Sequence, residues 1–158
     1  MSKCFFEIKN TTFFASEENK ILNFNMKIEK PGEIICLLGP SGVGKTTLLR
    51  SIAGLQKISH GEIYLNGKLL SSKETHIQPE FRNVALSFQD NSLFPHYNVL
   101  DNINFGSKRI SKFDFDLSTN ELINILHLNG LQKKFPHEIS AGEAQRVSLA
   151  RSLMSKPY

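Results

Sequence analysis

Nine consecutive residues in the first third of the chain have the types and spacing that bind a nucleotide phosphate. They are Gly39, Pro40, Ser41, Gly42, Val43, Gly44, Lys45, Thr46 and Thr47. The segment fits the pattern G-x-x-x-x-G-K-[ST], in which glycines let the backbone curl until successive N–H groups point at phosphate oxygens. Lys45 adds a positive charge, and the hydroxyl of Thr46 suits Mg²⁺. The segment therefore predicts a nucleoside triphosphate site that these residues line, with Thr46 as a metal ligand.

The elements on either side of this loop are those that the motif requires. Residues 33–38 (EIICLL) form a continuous apolar run, which predicts a strand buried on both faces. A helix is predicted from Lys45 to Ala53, and the partial positive charge of its N-terminus would face the phosphates. A loop of this kind by itself leaves kinases, GTPases, helicases and transporters open.

The other predicted elements are strands in the first half of the chain and helices in the second. Strands are predicted at residues 4–9, at residues 21–28, where apolar and polar residues alternate, at residues 61–70 as a hairpin turning at Asn66-Gly67, and at residues 83–88. Helical segments follow from residue 90, including residues 117–128 and 143–154.

The bulk composition predicts one globular domain without a membrane span. The chain has 158 residues, 40% hydrophobic and 22% charged, and its longest apolar run is far shorter than the roughly 20 residues that cross a bilayer. The net charge of +4 is spread without a basic block, so no nucleic acid partner is expected. Cys4 and Cys36 are predicted to be buried apolar residues in strands. The first ten residues contain no apolar segment of signal-peptide length, so a cytoplasmic location is expected.

The segment FPHEISAGEAQRVSLAR, residues 135–151, resembles the signature motif of the ABC ATPases, where the family usually has Leu-Ser-Gly-Gly-Gln before a basic helix. The resemblance implies that Ser140, Ala141, Gly142 and Glu143 close over the nucleotide held by a second ATP-binding domain, arranged head to tail. The spacing S-x-x-E also fits a helix N-cap with its capping-box partner, and both interpretations can hold together.

Two further roles come from the same resemblance. Residues 88–103 resemble the family's Q-loop and its continuation, which implies that Gln89 contacts the metal, senses the γ-phosphate and acts in catalysis together with Lys45. Phe14 matches the position of the aromatic residue that stacks on adenine. The adjacent Phe13 suits that role almost as well, and either residue also suits a core.

The fold that the resemblance implies is an α/β, P-loop NTPase core of the ABC type, with an antiparallel β-subdomain and a helical subdomain, C-terminally incomplete. Within one domain, residues 1–89 would form the β-subdomain and P-loop core, residues 90–140 the helical subdomain and residues 141–158 the signature helix. ATP and Mg²⁺ are the implied cofactors.

The resemblance also implies transport as the function. Residues 93–96 (LFPH) and 135–138 (FPHE) are similar to the ATPases of importers for inorganic ions, polyamines and thiamine. The implied partners are transmembrane permease subunits, a second ATP-binding subunit of the same or another kind and, indirectly, a solute-binding protein. The chain would then work at the inner face of the cell membrane.

The sequence departs from the family pattern in three places, the mildest of which is Glu143 where the family has glutamine. Ala141 replaces a signature glycine, and its Cβ is expected to restrict a positive φ or crowd the opposing phosphate. The family also continues into an apolar strand ending in Asp-Glu and later a switch histidine, which do not occur before Tyr158. Hydrolysis by this chain alone is therefore expected to be negligible, and the uncovered apolar edge is expected to make it poorly stable.

Two alternatives to a working importer subunit stay open. One is a truncated, non-hydrolysing fragment or decoy that binds nucleotide or pairs with an intact subunit. The other is a soluble ABC ATPase of DNA repair or translation. Such proteins typically insert coiled coils, zinc-binding cysteine pairs or a second cassette, and none of these occurs between Gln89 and Ser140.

Overall fold

The computed structural model describes residues 4–14, 20–88, 93–108 and 118–157, with only the backbone described at residues 14, 20–22 and 108. Contacts within the chain define two compact units, residues 1–84 and residues 85–158. The domain boundary predicted at residue 89 stays a prediction, because residues 89–92 lie outside the described part.

The first unit is built on a four-stranded antiparallel sheet. Its strands in spatial order are β2 (Lys20–Ile28), β1 (Phe6–Phe14), β3 (His60–Leu65) and β4 (Lys68–Ser71). The predicted strand at residues 21–28 is confirmed, with Asn23 exposed and Phe24 half-buried. The predicted hairpin is also confirmed, since Asn66 (φ 49°) and Gly67 (φ 73°) adopt the two positive φ angles of a type I′ turn.

Helix α1 (Lys45–Ala53) covers this sheet and has the bounds that the sequence predicts. It buries Leu48 in an apolar core together with residues from three strands and the intervening loops. That core consists of Phe6, Ile8, Phe13, Leu48, Ile58, Ile63, Leu65 and Leu70. Because Leu48 lies only one turn from the start of α1, this packing ties the phosphate-binding loop to the sheet.

Two predicted strands are wrong. Residues 33–38 and 83–88 are not assigned to any strand, and the side chains of Ile34 and Leu38 are 97% and 88% exposed. A strand needs a hydrogen-bonded neighbour, and within the described ranges neither segment has one, whatever its apolar pattern. The predicted burial of the cysteines is also wrong. Cys36, in the first of these segments, is exposed, and Cys4 is only half-buried.

Among its described residues, the second unit packs three α-helices. They are α2 (Val99–Phe105), α3 (Thr119–Ile125) and α4 (Ala141–Met154). The apolar core consists of Val99, Ile103, Leu122, Ile123, Leu128, Val147, Ala150 and Met154. Gly106 lets the end of α2 approach α4 closely, since a Cβ there would collide with the carbonyl oxygen of Arg151. In the described part of the chain, no helix combines the length and apolarity needed to cross a bilayer.

Candidate functional site

The glycine-rich loop leads into α1 through a left-handed turn. Gly42 (φ 81°) and Gly44 (φ 101°) adopt positive φ angles that L side chains rarely take. Gly44 is the N-cap of α1 and offers no side chain to the helix. The first bond of the helical ladder runs from Leu48 N–H to Gly44 O at 2.9 Å, so the amides of residues 45–47 precede the ladder. An anion at a helix N-terminus accepts hydrogen bonds from these N–H groups.

Lys45 spans the same loop. Its Nζ donates to the carbonyl oxygens of Gly39 and Pro40, both at 2.8 Å. An ammonium group has three N–H donors, so two bonds to the loop still leave one for a phosphate oxygen. The two carbonyl bonds hold the charge of Lys45 at the loop rather than in solvent.

The remaining residues of the loop differ in their exposure. Ser41, Val43 and Thr46 are exposed, whereas Gly44 is buried. Within the described ranges, no group of three or more His, Cys, Asp or Glu residues could hold a metal ion. A divalent cation beside Thr46 would therefore take most of its ligands from phosphates and water, as Mg²⁺ does when it dehydrates reluctantly.

An apolar cleft of about 170 Å³ adjoins the loop. It is lined by Phe13, Phe24, Leu37, Leu38, Val43, Gly44, Lys45 and Leu48. The ring of Phe13 is fully buried and meets Phe24 edge to face, with centroids 6.1 Å apart. Phe13 is therefore a core residue that forms a wall of the cleft. Phe14 ends β1 opposite Lys20, but its side chain lies outside the described atoms, so its role at adenine stays a prediction.

The predicted capping box at the start of α4 is confirmed. Ser140 N–H donates to Glu143 Oε2 at 2.7 Å, the Ser140 hydroxyl donates to the same oxygen at 2.8 Å, and Glu143 N–H donates to Ser140 Oγ at 3.3 Å. These bonds from the backbone and hydroxyl of Ser140 lower the pKa of Glu143 below its ordinary value, and the charges of Lys134 and Arg146 act in the same direction.

Ala141 does not carry the strain that the sequence predicts. Ala141 and Gly142 are the first two residues of α4, and neither has a positive φ. A Cβ built on Gly142 would meet only Arg146 Nη1, at the ordinary distance of 3.8 Å. The helix start is therefore sterically open around Gly142, while the role of residues 140–143 at a second nucleotide site stays a prediction.

Gln89, the predicted γ-phosphate sensor, lies outside the described residues. Residues 94–98 are held by Asn102 of α2, which is completely buried. Its side chain accepts from Phe94 N–H at 2.9 Å and donates to carbonyl oxygens of the same segment at 3.0 to 3.1 Å. Those acceptors are the carbonyls of Phe94, Tyr97 and Asn98. Sequence reasoning missed Asn102, although a polar residue on the apolar stripe of a helix is a signal for it.

Asn102 thereby shapes a group of rings at the surface, called here the aromatic cluster: Phe94, His96, Tyr97 and Phe105. The ring centroids of Phe94 and Phe105 are 4.6 Å apart, and those of His96 and Tyr97 are 4.5 Å apart. Arg151 of α4 lies with Cζ 5.0 Å from the Phe94 centroid, which adds a cation–π contact to the cluster.

Arg82 is a second residue that sequence reasoning missed. Its side chain is 1% exposed, and burial lowers its pKa to about 10. Its acceptors are Ile77 O (2.6 Å from Nε), Ser51 O and Ile52 O (each 3.0 Å from Nη1), Ser71 Oγ (2.8 Å from Nη2) and His76 Nδ1 (3.3 Å from Nη2). Among the described residues these acceptors include no carboxylate. The only sequence signal was an arginine directly before the predicted strand at residues 83–88, which is too common to single out.

Comparison with known proteins matches residues 21–158 to the sequence profile of the ABC transporter family. The chain is 37% identical over 157 residues to the Fe(3+) ions import ATP-binding protein FbpC of Escherichia coli K12, covering 98% of this chain and 44% of that protein. It is 40% identical over 153 residues to the putrescine transport ATP-binding protein PotG of the same organism, covering 96% of this chain and 39% of that one. The chain thus spans less than half the length of these relatives.

A solved structure agrees at the level of the fold. The ATP-binding cassette MJ0796, determined as a dimer in a post-hydrolysis state with ADP and Pi, has a TM-score of 0.75 and 27% identity to this chain. The match covers 96% of this chain and 70% of that one.

Proposed function

Because this chain belongs to the ABC transporter family of ATP-binding proteins, we propose that it is the ATP-binding subunit of an importer and binds Mg²⁺-ATP at its glycine-rich loop. Its fold is that of an ABC ATPase cassette, with an antiparallel sheet and a helical unit. The observation that carries the proposal is the start of α1. Gly44 has no side chain to cap the helix, so the first amides can donate to an anion, and Lys45 is held over the loop.

The loop would bind the triphosphate through its own groups. The N–H groups of residues 44–47 would donate to the phosphate oxygens, and the third donor of Lys45 would add a charge-assisted bond. The exposed Thr46 hydroxyl would share Mg²⁺ with the phosphates, which fits the lack of a carboxylate cluster among the described residues. When bound, Mg²⁺ neutralises charge that develops on the phosphates. Gln89 would sense the γ-phosphate, and Phe14 would stack on adenine.

A second ATP-binding subunit would complete the site. Ser140 and the open helix start at Gly142 would close over the γ-phosphate bound by the partner's loop. The support is the N-terminal geometry of α4 together with the dimeric form of the similar cassette that holds ADP and Pi. In that assembly, ATP closes the dimer and hydrolysis reopens it.

Solute uptake would require permease subunits in the membrane. The aromatic cluster is the surface that we assign to them, because it directly follows the predicted Q-loop and presents amphipathic rings that suit an apolar helix. The chain would then sit at the cytoplasmic face of the membrane, with a solute-binding protein acting indirectly. Identity is nearly equal to the ferric-ion and putrescine proteins, which supports import of a small solute in general rather than one solute class.

Substitution of Lys45 tests the nucleotide site. Binding of a fluorescent ATP analogue in the presence of Mg²⁺ is measured for wild type, Lys45→Ala and the control Lys68→Ala, which removes an exposed lysine of the same unit at the start of β4. One charge-assisted hydrogen bond contributes about 1.5–3 kcal/mol, so Lys45→Ala should raise Kd by a factor of about 10 or more. Equal affinity of Lys45→Ala and wild type would refute the proposed function.

A further inference from the structure

We propose that Arg82 is a positioning residue for the phosphate-binding loop: it fixes the C-terminal end of α1 and so sets the direction in which the N-terminal end of α1 presents its amides. The inference rests on the nucleotide site proposed above. No substrate atom would contact Arg82, because its bonds are to the far end of α1.

The groups around Arg82 supply the hydrogen-bond acceptors that a carboxylate would otherwise provide. A buried cation is costly unless hydrogen-bonded acceptors compensate it. The carbonyls of Ser51 and Ile52 belong to the last turn of α1, at the negative end of the helix dipole, and Ser51 O also accepts from Gly54 N–H at 3.2 Å. Arg82 Nη1 donates to both oxygens at 3.0 Å. Arg82 therefore caps the end of α1 as well as filling the core.

The same side chain attaches that helix end to other parts of the first unit. Nη2 donates to Ser71 of β4 at 2.8 Å, and Nε donates to the carbonyl of Ile77 at 2.6 Å. Leu48 packs in the apolar core near the start of α1, and at its end the polar bonds from Arg82 add to the packing of Ile52 and the buried Ala53. A helix fixed at both ends resists tilting more than one whose far end is held by apolar packing alone.

The length of α1 indicates how much such a tilt matters. Lys45 is three residues from Leu48, about 4.5 Å along the axis at 1.5 Å per residue. A tilt of about 10° around Leu48 would move the first amides of α1 by about 1 Å. Displacements of about 1 Å in a positioned group are enough to change function by up to about 100-fold. The orientation of α1 is therefore a property of the binding site.

Substitution of Gly54 is a second way to disturb this contact. It follows α1 with a φ of 85°, and a Cβ at this position would overlap the guanidinium of Arg82. The close approach of Arg82 to the end of α1 thus depends on the absence of a side chain at residue 54. Substitution of either residue should disturb the same attachment.

The test compares full-length wild type with Arg82→Gln, Arg82→Lys and Gly54→Ala. Two quantities are measured well below the unfolding temperature: Kd for a fluorescent ATP analogue with Mg²⁺, and the backbone amide chemical shifts of residues 44–46. We expect Kd to rise about tenfold in Arg82→Gln and less in Arg82→Lys, which keeps a cation but lacks the planar fork. The amide shifts should move in all three variants. Should Arg82→Gln not fold, Arg82→Lys decides the question, because Gly54→Ala also strains a backbone with a φ of 85°.

The control is Leu65→Val, which weakens the same core by one lost methylene group and leaves Arg82 intact. Its Kd should stay within about twofold of wild type. Unchanged Kd and unchanged amide shifts in the Arg82 and Gly54 variants would overturn the inference, as would an equal loss of affinity in Leu65→Val. If the Arg82 and Gly54 variants are unchanged while Lys45→Ala loses the binding that wild type shows, only the role of Arg82 has failed. If wild type and Lys45→Ala bind equally, the proposed function itself has failed.

Discussion

The hydroxyl of Ser140 donates a hydrogen bond to the carboxylate of Glu143 at 2.8 Å, and backbone amides of both residues close the ring from either side. This arrangement favours the ionised carboxylate, because Glu143 Oε2 accepts two bonds from Ser140 and a charged acceptor strengthens both. The negative charge also lies at the N-terminus of α4, where the helix dipole favours it. The start of the predicted signature helix is therefore held in a way that depends on pH.

Acid should remove the contribution of Glu143 to stability. Its pKa is lowered in the folded state, so the unfolded chain binds the proton more readily and stability rises with pH. The contribution is complete above the ordinary carboxyl pKa of 4.5 and disappears as the pH falls through the lowered value. Urea unfolding at pH 7 and at pH 3 should show wild type more stable than Glu143→Gln at pH 7, with a smaller difference at pH 3. In a Ser140→Ala background the pH dependence of that difference should weaken. A difference between wild type and Glu143→Gln that does not change with pH would contradict this account.

Gly142→Ala should separate folding from assembly. The residue is helical and a Cβ there has room, so the substitution should leave stability unchanged or raise it by up to about 1 kcal/mol through helix propensity. The added methyl would nevertheless enter the surface that the proposal assigns to the partner's γ-phosphate. The melting temperature should be unchanged or higher, while sedimentation with Mg²⁺ and a non-hydrolysable ATP analogue should show less dimer than wild type. A lower melting temperature would contradict the steric room inferred at Gly142. Equal dimer formation would contradict the proposed contact with the partner's γ-phosphate.

The parts of the molecule that the sequence predicts are those fixed by local rules. The bounds of α1 follow from Gly44 and Gly54, and the turn at Asn66-Gly67 follows from the φ angles that these residues accept. The strand predicted at residues 33–38 is wrong because pairing depends on a neighbour that no local pattern contains. Arg82 went unrecognised because its acceptors are up to 31 residues away in the chain.

Mild acid should destabilise the first unit through His76. Burial lowers the pKa of His76 most, followed by the positive charge of Arg82, with a smaller effect of Lys57 and an opposing hydrogen bond at the Gly54 backbone. Because the folded pKa lies below the ordinary value of 6.5, the unfolded chain takes up the proton first. The stability is present above about pH 6.5 and is lost as the pH falls toward the folded pKa. Unfolding free energies at pH 7.5, 6.5 and 5.5 should fall more steeply for wild type than for His76→Gln. Equal slopes would show that His76 is not responsible.

Asn102→Leu should destabilise the second unit strongly while leaving the apolar packing of α2 in place. Leucine has the same number and branching of side-chain heavy atoms as asparagine, but it would leave Phe94 N–H and the carbonyls that Asn102 contacts without their buried partner. Each unsatisfied group costs about 1–3 kcal/mol, so a loss of at least about 3 kcal/mol in urea unfolding is expected. The rings of Phe94 and Tyr97 would lose their fixed geometry, which should reduce the near-ultraviolet circular dichroism. Asn120→Leu, at an exposed position of α3, serves as the control and should stay within about 0.5 kcal/mol of wild type. If the two variants were equally stable, the network around Asn102 would not be what orders the aromatic cluster.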